Sequence, residues 1–147
     1  MNRAFTLIEL ILVLFIISII TGCSFLSVNY YKTIKNKADA DYYCNAVVYF
    51  INNSKMYCRE NSCSATVTFD IGRNEMRLTK GINTMGELLF KDKITLIEVN
   101  GRRINNDIVI DKRGYSNDGF TVVLRDNNLI RHEISMRVGT GYVKVIK

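Results

Sequence analysis

The sequence predicts an α+β chain. One long N-terminal helix, apolar all round in its first half and amphipathic in its second, packs on a C-terminal antiparallel β domain. Three observations predict it. From Ala4 to Val28 the only charged residue is Glu9. No Pro or Gly interrupts the chain between Gly22 and Gly72. After Cys63 the apolar period changes from helical to alternating. The 147 residues give room for one domain with a modest core. The part beyond the apolar segment is rich in Ile, Val, Tyr and Phe and poor in Ala and Leu, which favours strands.

The elements run in order along the chain. Residues 1–4, Met-Asn-Arg-Ala, form a short, polar, basic leader. Phe5 to Val28 then supplies 24 residues, about 36 Å as a helix, which is enough to cross a bilayer with a little tilt. Arg3 on the N-terminal flank predicts that end in the cytoplasm and the rest outside. Tyr30 and Tyr31 fall where an interfacial aromatic belt is expected. Tyr31, Ile34, Ala38, Tyr42, Ala46, Tyr49 and Phe50 recur at three- and four-residue steps among Lys and Asp residues. This spacing continues the helix to about residue 57 with one apolar stripe. The division expected is therefore a leader at 1–4, a membrane segment at 5–28 and a globular part at 29–147. The globular part holds an amphipathic helix at 29–57 and a β domain at 64–147.

Val67, Phe69 and Ile71 alternate with Thr66, Thr68 and Asp70, as in a half-buried strand. Gly72-Arg73-Asn74 reads as a turn, and Met76 and Leu78 alternate after it. Further strands read at 94–99, 103–111, 120–125, 128–136 and 142–146. Asn100-Gly101 between two apolar runs is a strong hairpin signal and Asp126-Asn127-Asn128 a weaker one. The amphipathic half of the helix is the natural cover for the sheet's apolar face.

The formal charge is +6, and Arg3 cancels Glu9, so the excess lies beyond the apolar segment. A basic globular part meets anionic lipid, cell-wall polymer or nucleic acid. A solvated surface is the simpler reading and the preferred one, because the basic residues are scattered among acids. For nucleic acid the residues to watch are Arg102, Arg103, Lys112 and Arg113, within a wider set at Arg73, Arg77, Lys80, Arg125, Arg131 and Arg137. They would track a phosphate backbone only if several shared one face.

Cys58 and Cys63 flank Arg-Glu-Asn-Ser, and outside the cytoplasm either a disulfide or two free thiols is open to them. Cys44 lies about four turns before Cys58 on the helix, too far to pair with it. No metal site emerges from four cysteines at these spacings and one histidine, and no cofactor is implied. His132, between Arg131 and Glu133 in a strand, reads as a surface residue rather than a catalyst. There is no nucleophile–His–acid set, P-loop or dinucleotide motif, so an enzyme is not expected.

The segment Ala4-Phe5-Thr6-Leu7-Ile8-Glu9 resembles the N-terminal signal of type IV pilins and type II secretion pseudopilins: a basic leader, a small residue, then Phe-Thr-Leu-x-Glu and an apolar helix. The resemblance covers residues 1–25. It departs in having Ala4 where Gly is commoner, and Leu26 where many members have Pro. It implies a class I pilin-like fold. It implies that a prepilin peptidase cuts between Ala4 and Phe5 and methylates the new amine of Phe5. Glu9 then pairs with the N-terminal amine of a neighbouring subunit. The partners implied are other pilins or pseudopilins, the peptidase and an inner-membrane assembly platform. The place implied is the cytoplasmic membrane, with a single pass, and then the filament. The C-terminal part looks most like H-type minor pseudopilins, on Ala65-Thr66-Val67-Thr68-Phe69 directly after the helix, Ile108-Val109-Ile110 before Arg113-Gly114, and the final Gly141-Tyr142-Val143-Lys144-Val145. Such subunits are implied to sit at or near the filament tip.

The rival reading is a lipoprotein. Ile20-Thr21-Gly22-Cys23 fits a lipobox, after which Cys23 would be acylated and residues 1–22 removed. Glu9 in the apolar run, a single basic residue before it, and helix where a linker is expected count against this.

Overall fold

A computed structural model describes residues 6–91, 93–101, 106–116, 118–137 and 143–146, the side chains of residues 25 and 26 excepted. Helix α1 spans Leu7–Glu60. Among the described residues eight strands come after it: β1 Ala65–Asp70, β2 Glu75–Lys80, β3 Asn83–Leu89, β4 Ile94–Gly101, β5 Asp107–Ile110, β6 Phe120–Asp126, β7 Arg131–Met136 and β8 Val143–Ile146. The architecture is α+β, one long helix and then two antiparallel sheets, and is consistent with a pilin-like fold. The chain divides into two compact units, Met1–Lys35 and Asn36–Lys147.

In the second unit the helix buries Ala40, Tyr43, Cys44, Val47, Ile51, Ser54 and Cys58, a stripe at three- and four-residue steps. This corrects the expected stripe. Tyr31, Ile34, Tyr42 and Tyr49 are exposed and Ala46 and Phe50 only half-buried. Tyrosine is apolar in its ring and polar at its tip, so it satisfies an apolar pattern while standing at the water boundary. The sheets choose the face about one residue away.

The β domain is two four-stranded sheets, ordered β3-β2-β1-β5 and β4-β6-β7-β8. Strand β1 shows the alternation expected of it: Ala65, Val67 and Phe69 are buried and the residues between them half-exposed. The two sheets meet through Phe69 and Phe120, whose ring centroids lie 5.6 Å apart. Tyr43 of the helix reaches Phe90 at 6.0 Å. Asn74, at φ 56° in the β1–β2 turn, adds a polar stitch between the sheets. Its amide donates to the carbonyls of Phe90 (3.1 Å) and Ile94 (2.8 Å), and its Oδ1 accepts from the Leu96 N–H at 2.7 Å.

The Asn100-Gly101 hairpin is not formed. Strand β4 runs through both residues and pairs with β6, while β5 crosses to the other sheet and pairs with β1. A turn signal competes with pairing partners, and here β6 offers Val122 and Leu124 to the same core. The strand expected at 103–111 is described only as Asp107–Ile110, and that at 128–136 begins at Arg131. Strand β3 was not expected. It is an edge strand, largely exposed and carrying Gly86, so it lacks an apolar alternation to read.

One turn geometry occurs twice. Asp111 Oδ1 accepts from the N–H groups of Arg113 (2.9 Å) and Tyr115 (2.8 Å), and Asp126 Oδ1 accepts from those of Asn128 (2.9 Å) and Ile130 (2.8 Å). The second turn is the β6–β7 hairpin that Asp126-Asn127-Asn128 signalled. Each turn places its fourth residue at positive φ, Gly114 at 80° and Leu129 at 64°. A Cβ on Gly114 would lie 2.7 Å from the Lys55 carbonyl oxygen, so only glycine lets this turn close on the helix. Leu129 points to solvent and meets no such wall.

Candidate assembly and anchoring site

The first turn of α1 is organised by Thr6 and Glu9. Glu9 Oε2 accepts from the Thr6 N–H at 2.9 Å and from its hydroxyl at 3.0 Å. The Thr6 carbonyl in turn accepts from the N–H groups of Glu9 (3.1 Å) and Leu10 (3.3 Å). Thr6-x-x-Glu9 is thus half of a capping box, with the acid reaching back to a donor the helix leaves unpaired. The pattern is legible in the sequence, and Thr6 is a site residue that the sequence reading passed over. The carboxylate also sits at the positive end of the helix dipole. Ala4 and Phe5, the residues flanking the expected cut, lie outside the described residues.

From Leu7 to Val28 every side chain described is exposed. The segment is long and apolar enough to cross a membrane. Its few hydroxyls do not contradict that. Ser18, Thr21 and Ser24 donate back to the carbonyls of Leu14 (2.8 Å), Ile17 (2.9 Å) and Ile20 (2.7 Å). A hydroxyl bonded inside its own helix carries no unmet donor into hydrocarbon. Glu9 is then the one acidic or basic residue described between Thr6 and Val28, and a carboxylate there is expensive unless something cationic meets it.

Cys23 is exposed on α1, Cys44 and Cys58 are buried, Cys63 is half-buried, and all four are free thiols. Burial, with the Asp41 charge, pushes the Cys44 thiol up to about 11, so it is a packing residue rather than a nucleophile. Arg102 and Arg103 lie outside the described residues. Lys112 and Arg113 occupy the Asp111 turn. Arg113 lines a cavity of about 240 Å³ with Asn52, Lys55, Met56, Arg59 and Tyr115. Lys55 is buried, its Nζ has no hydrogen-bond partner, and burial lowers its pKa.

Two of the wider basic set, Arg73 and Arg77, are engaged by acids of the same sheet. Arg77 is bound to Asp70 at 3.3 Å and Glu75 at 2.9 Å, and Arg73 stands 3.9 Å from Asp70. The Arg73 N–H, then the Arg73 and Arg77 charges, hold the Asp70 carboxyl below its ordinary value. His132 is not a plain surface residue. Its ring is half-buried, with Nε2 3.3 Å from Oδ2 of the buried Asp126. It braces the β6–β7 hairpin.

Comparison with known proteins adds one finding. Residues 1–22 match the family model described as the prokaryotic N-terminal methylation motif. No curated protein and no solved structure matches the chain. The match falls on the leader, the Phe5–Glu9 signal and the apolar run, the residues whose geometry the structure describes from Thr6 onward. The chain carries the prepilin-type methylation motif that marks type IV pilin- and pseudopilin-like proteins.

Proposed function

We propose that the chain is a structural rather than enzymatic subunit, a minor pilin or pseudopilin of a type IV pilus, a type II secretion pseudopilus or a competence pilus. Residues 1–4 are its leader, and residues 5–28 serve first as membrane anchor and then as filament core. Residues 29–147 lie outside the cytoplasm. The observation that carries this is Glu9: a lone acid, tied to the first helical turn, in an otherwise exposed apolar helix. Removal of the leader frees an α-amine at Phe5. A carboxylate and an ammonium brought together in an apolar bundle satisfy each other, where either alone would be costly. Placement at or near the filament tip rests on the H-type resemblance of the β domain.

The decisive experiment is the mass and N-terminal chemistry of the mature protein from its own cells. An N-methylated Phe5 start is expected, and Glu9→Gln should then abolish incorporation into filaments while leaving the melting temperature of the globular unit unchanged. A diacylglyceryl-modified Cys23 start would replace this reading with the lipoprotein. The described helix runs unbroken through Cys23, where a lipoprotein would have a flexible linker.

A second reading, a DNA-capturing minor pilin, is favoured by one observation: Lys55, Arg59 and Arg113 line one cavity. It requires DNA binding that weakens steeply with salt and is reduced in an Arg59→Ala/Arg113→Ala variant. No binding at low salt would remove it.

A further inference from the structure

Helix α1 ends in a motif that brings two cysteines together. The Ser62 N–H donates to the Arg59 carbonyl at 3.3 Å, and the Cys63 N–H to the Cys58 carbonyl at 3.0 Å. Ser62 is at φ 48°, the left-handed conformation that usually takes glycine. This is a Schellman motif. Its six-to-one bond ties the backbones of residues 58 and 63, and its usual companion is an apolar contact between those two side chains. Here both are cysteines.

Their thiols lie close enough to influence one another. Burial and the Cys63 thiol both push the Cys58 thiol up, while the Ala65 N–H holds its sulfur from the first residue of β1. Cys58 is fully buried and Cys63 half-buried, so one sulfur is sheltered and the other can be reached. Cys44 is buried about four turns earlier along the helix and Cys23 lies in the apolar segment, so neither competes.

We infer that Cys58 and Cys63 are a built redox pair that closes to a disulfide across the helix C-cap when the chain meets a thiol–disulfide oxidant. The Cys63 thiolate attacks a disulfide of the oxidant, forming a mixed disulfide and expelling one oxidant thiolate. The Cys58 thiolate then attacks the Cys63 sulfur and expels the second. Two S–H bonds are lost and one S–S bond forms. The oxidant's own S–S bond breaks; it takes the two electrons and, by way of solvent, the two protons, and leaves as two thiols. The bridge encloses Arg59-Glu60-Asn61-Ser62 and fixes the strained Ser62 turn, where the helix hands over to β1. Closure in the cell rests on the proposed export of residues 29–147, since an extracytoplasmic compartment supplies the oxidant.

Full-length protein in detergent micelles, incubated with oxidised glutathione and then alkylated under denaturing conditions, tests the pair apart from its location. The expected result is two fewer alkylated thiols, a peptide carrying a 58–63 cross-link, and a melting temperature that falls on adding reductant. Cys63→Ser should remove both the cross-link and the reductant response, and Cys23→Ser neither. Four alkylated thiols after oxidation, or a cross-link to Cys23 or Cys44, would overturn the inference. If the bridge forms in micelles while protein from cells keeps both thiols free, the pair stands and the export reading fails.

Discussion

Between Leu7 and Val28 the helix exposes apolar side chains all round, whereas between Ala40 and Cys58 it hides about one in each turn and turns Asp41, Asn45, Asn53, Tyr42 and Tyr49 to water. The same backbone geometry serves both. The difference lies in where the apolar partner comes from. The second stretch finds its partner in the chain itself, in the buried cluster to which β1, β2, β5, β6 and β7 contribute Val67, Met76, Ile110, Leu124 and Ile134. The first has none among the described residues and so requires one from outside, which on the proposed function is lipid at first and neighbouring helices afterwards. Exposure on this scale is otherwise a liability in a protein.

Reciprocal substitutions break the comparison most sharply. Ile51→Asp buries a charge among the sheets and should destabilise the second unit by about 4 kcal/mol or more, read as loss of its cooperative melting. Leu14→Arg should leave that melting unchanged. It should instead weaken membrane insertion by about 3 kcal/mol, read as protein released from the membrane fraction. If Leu14→Arg lowered the melting temperature as Ile51→Asp does, the division between the two stretches would be wrong.

Gly114→Ala tests the wall on the buried stretch. A positive φ and a Cβ 2.7 Å from the Lys55 oxygen should together cost about 2–3 kcal/mol. The matching change Leu129→Gly relieves a positive φ with no wall behind it and should stabilise slightly. Lys55 sharpens the contrast in the other direction. Its amine is buried without a partner, so Lys55→Met should raise stability at pH 7 by about 1 kcal/mol, checked by denaturant titration.

The sign of one pH effect comes from Asp70. Its folded pKa is depressed, so its contribution is complete above the unfolded value, near 4, and is lost as pH falls through the lower folded value. Asp70→Asn should lower the melting temperature slightly at neutral pH and flatten its fall across that acid range.

Much of this was readable in advance. The absence of Pro and Gly between Gly22 and Gly72, the period change after Cys63 and the Asp126 turn each report a local preference, and local preferences are carried by neighbouring residues. The motif at residues 1–22 is local in the same sense: leader, signal and capping acid are neighbours in sequence, from Met1 to Glu9. What was misread depended on distant partners. Asn100-Gly101 has the chemistry of a hairpin, but its strand is claimed by β6. The tyrosines of α1 satisfy an apolar pattern, but the sheets cover Tyr43 and Val47 and leave Tyr42 and Tyr49 in water.

The sequence by itself determined the anchor, the processing signal with Glu9, the length of the helix and the β character of the chain beyond it, because each is set by spacing along the chain. Only the tertiary structure decided that the strands form two sheets, which helix face they cover, that Arg77 is neutralised by Asp70 and Glu75, and that Lys55, Arg59 and Arg113 share a cavity. Those outcomes depend on side chains far apart in sequence competing for the same buried space, and no local pattern records who wins.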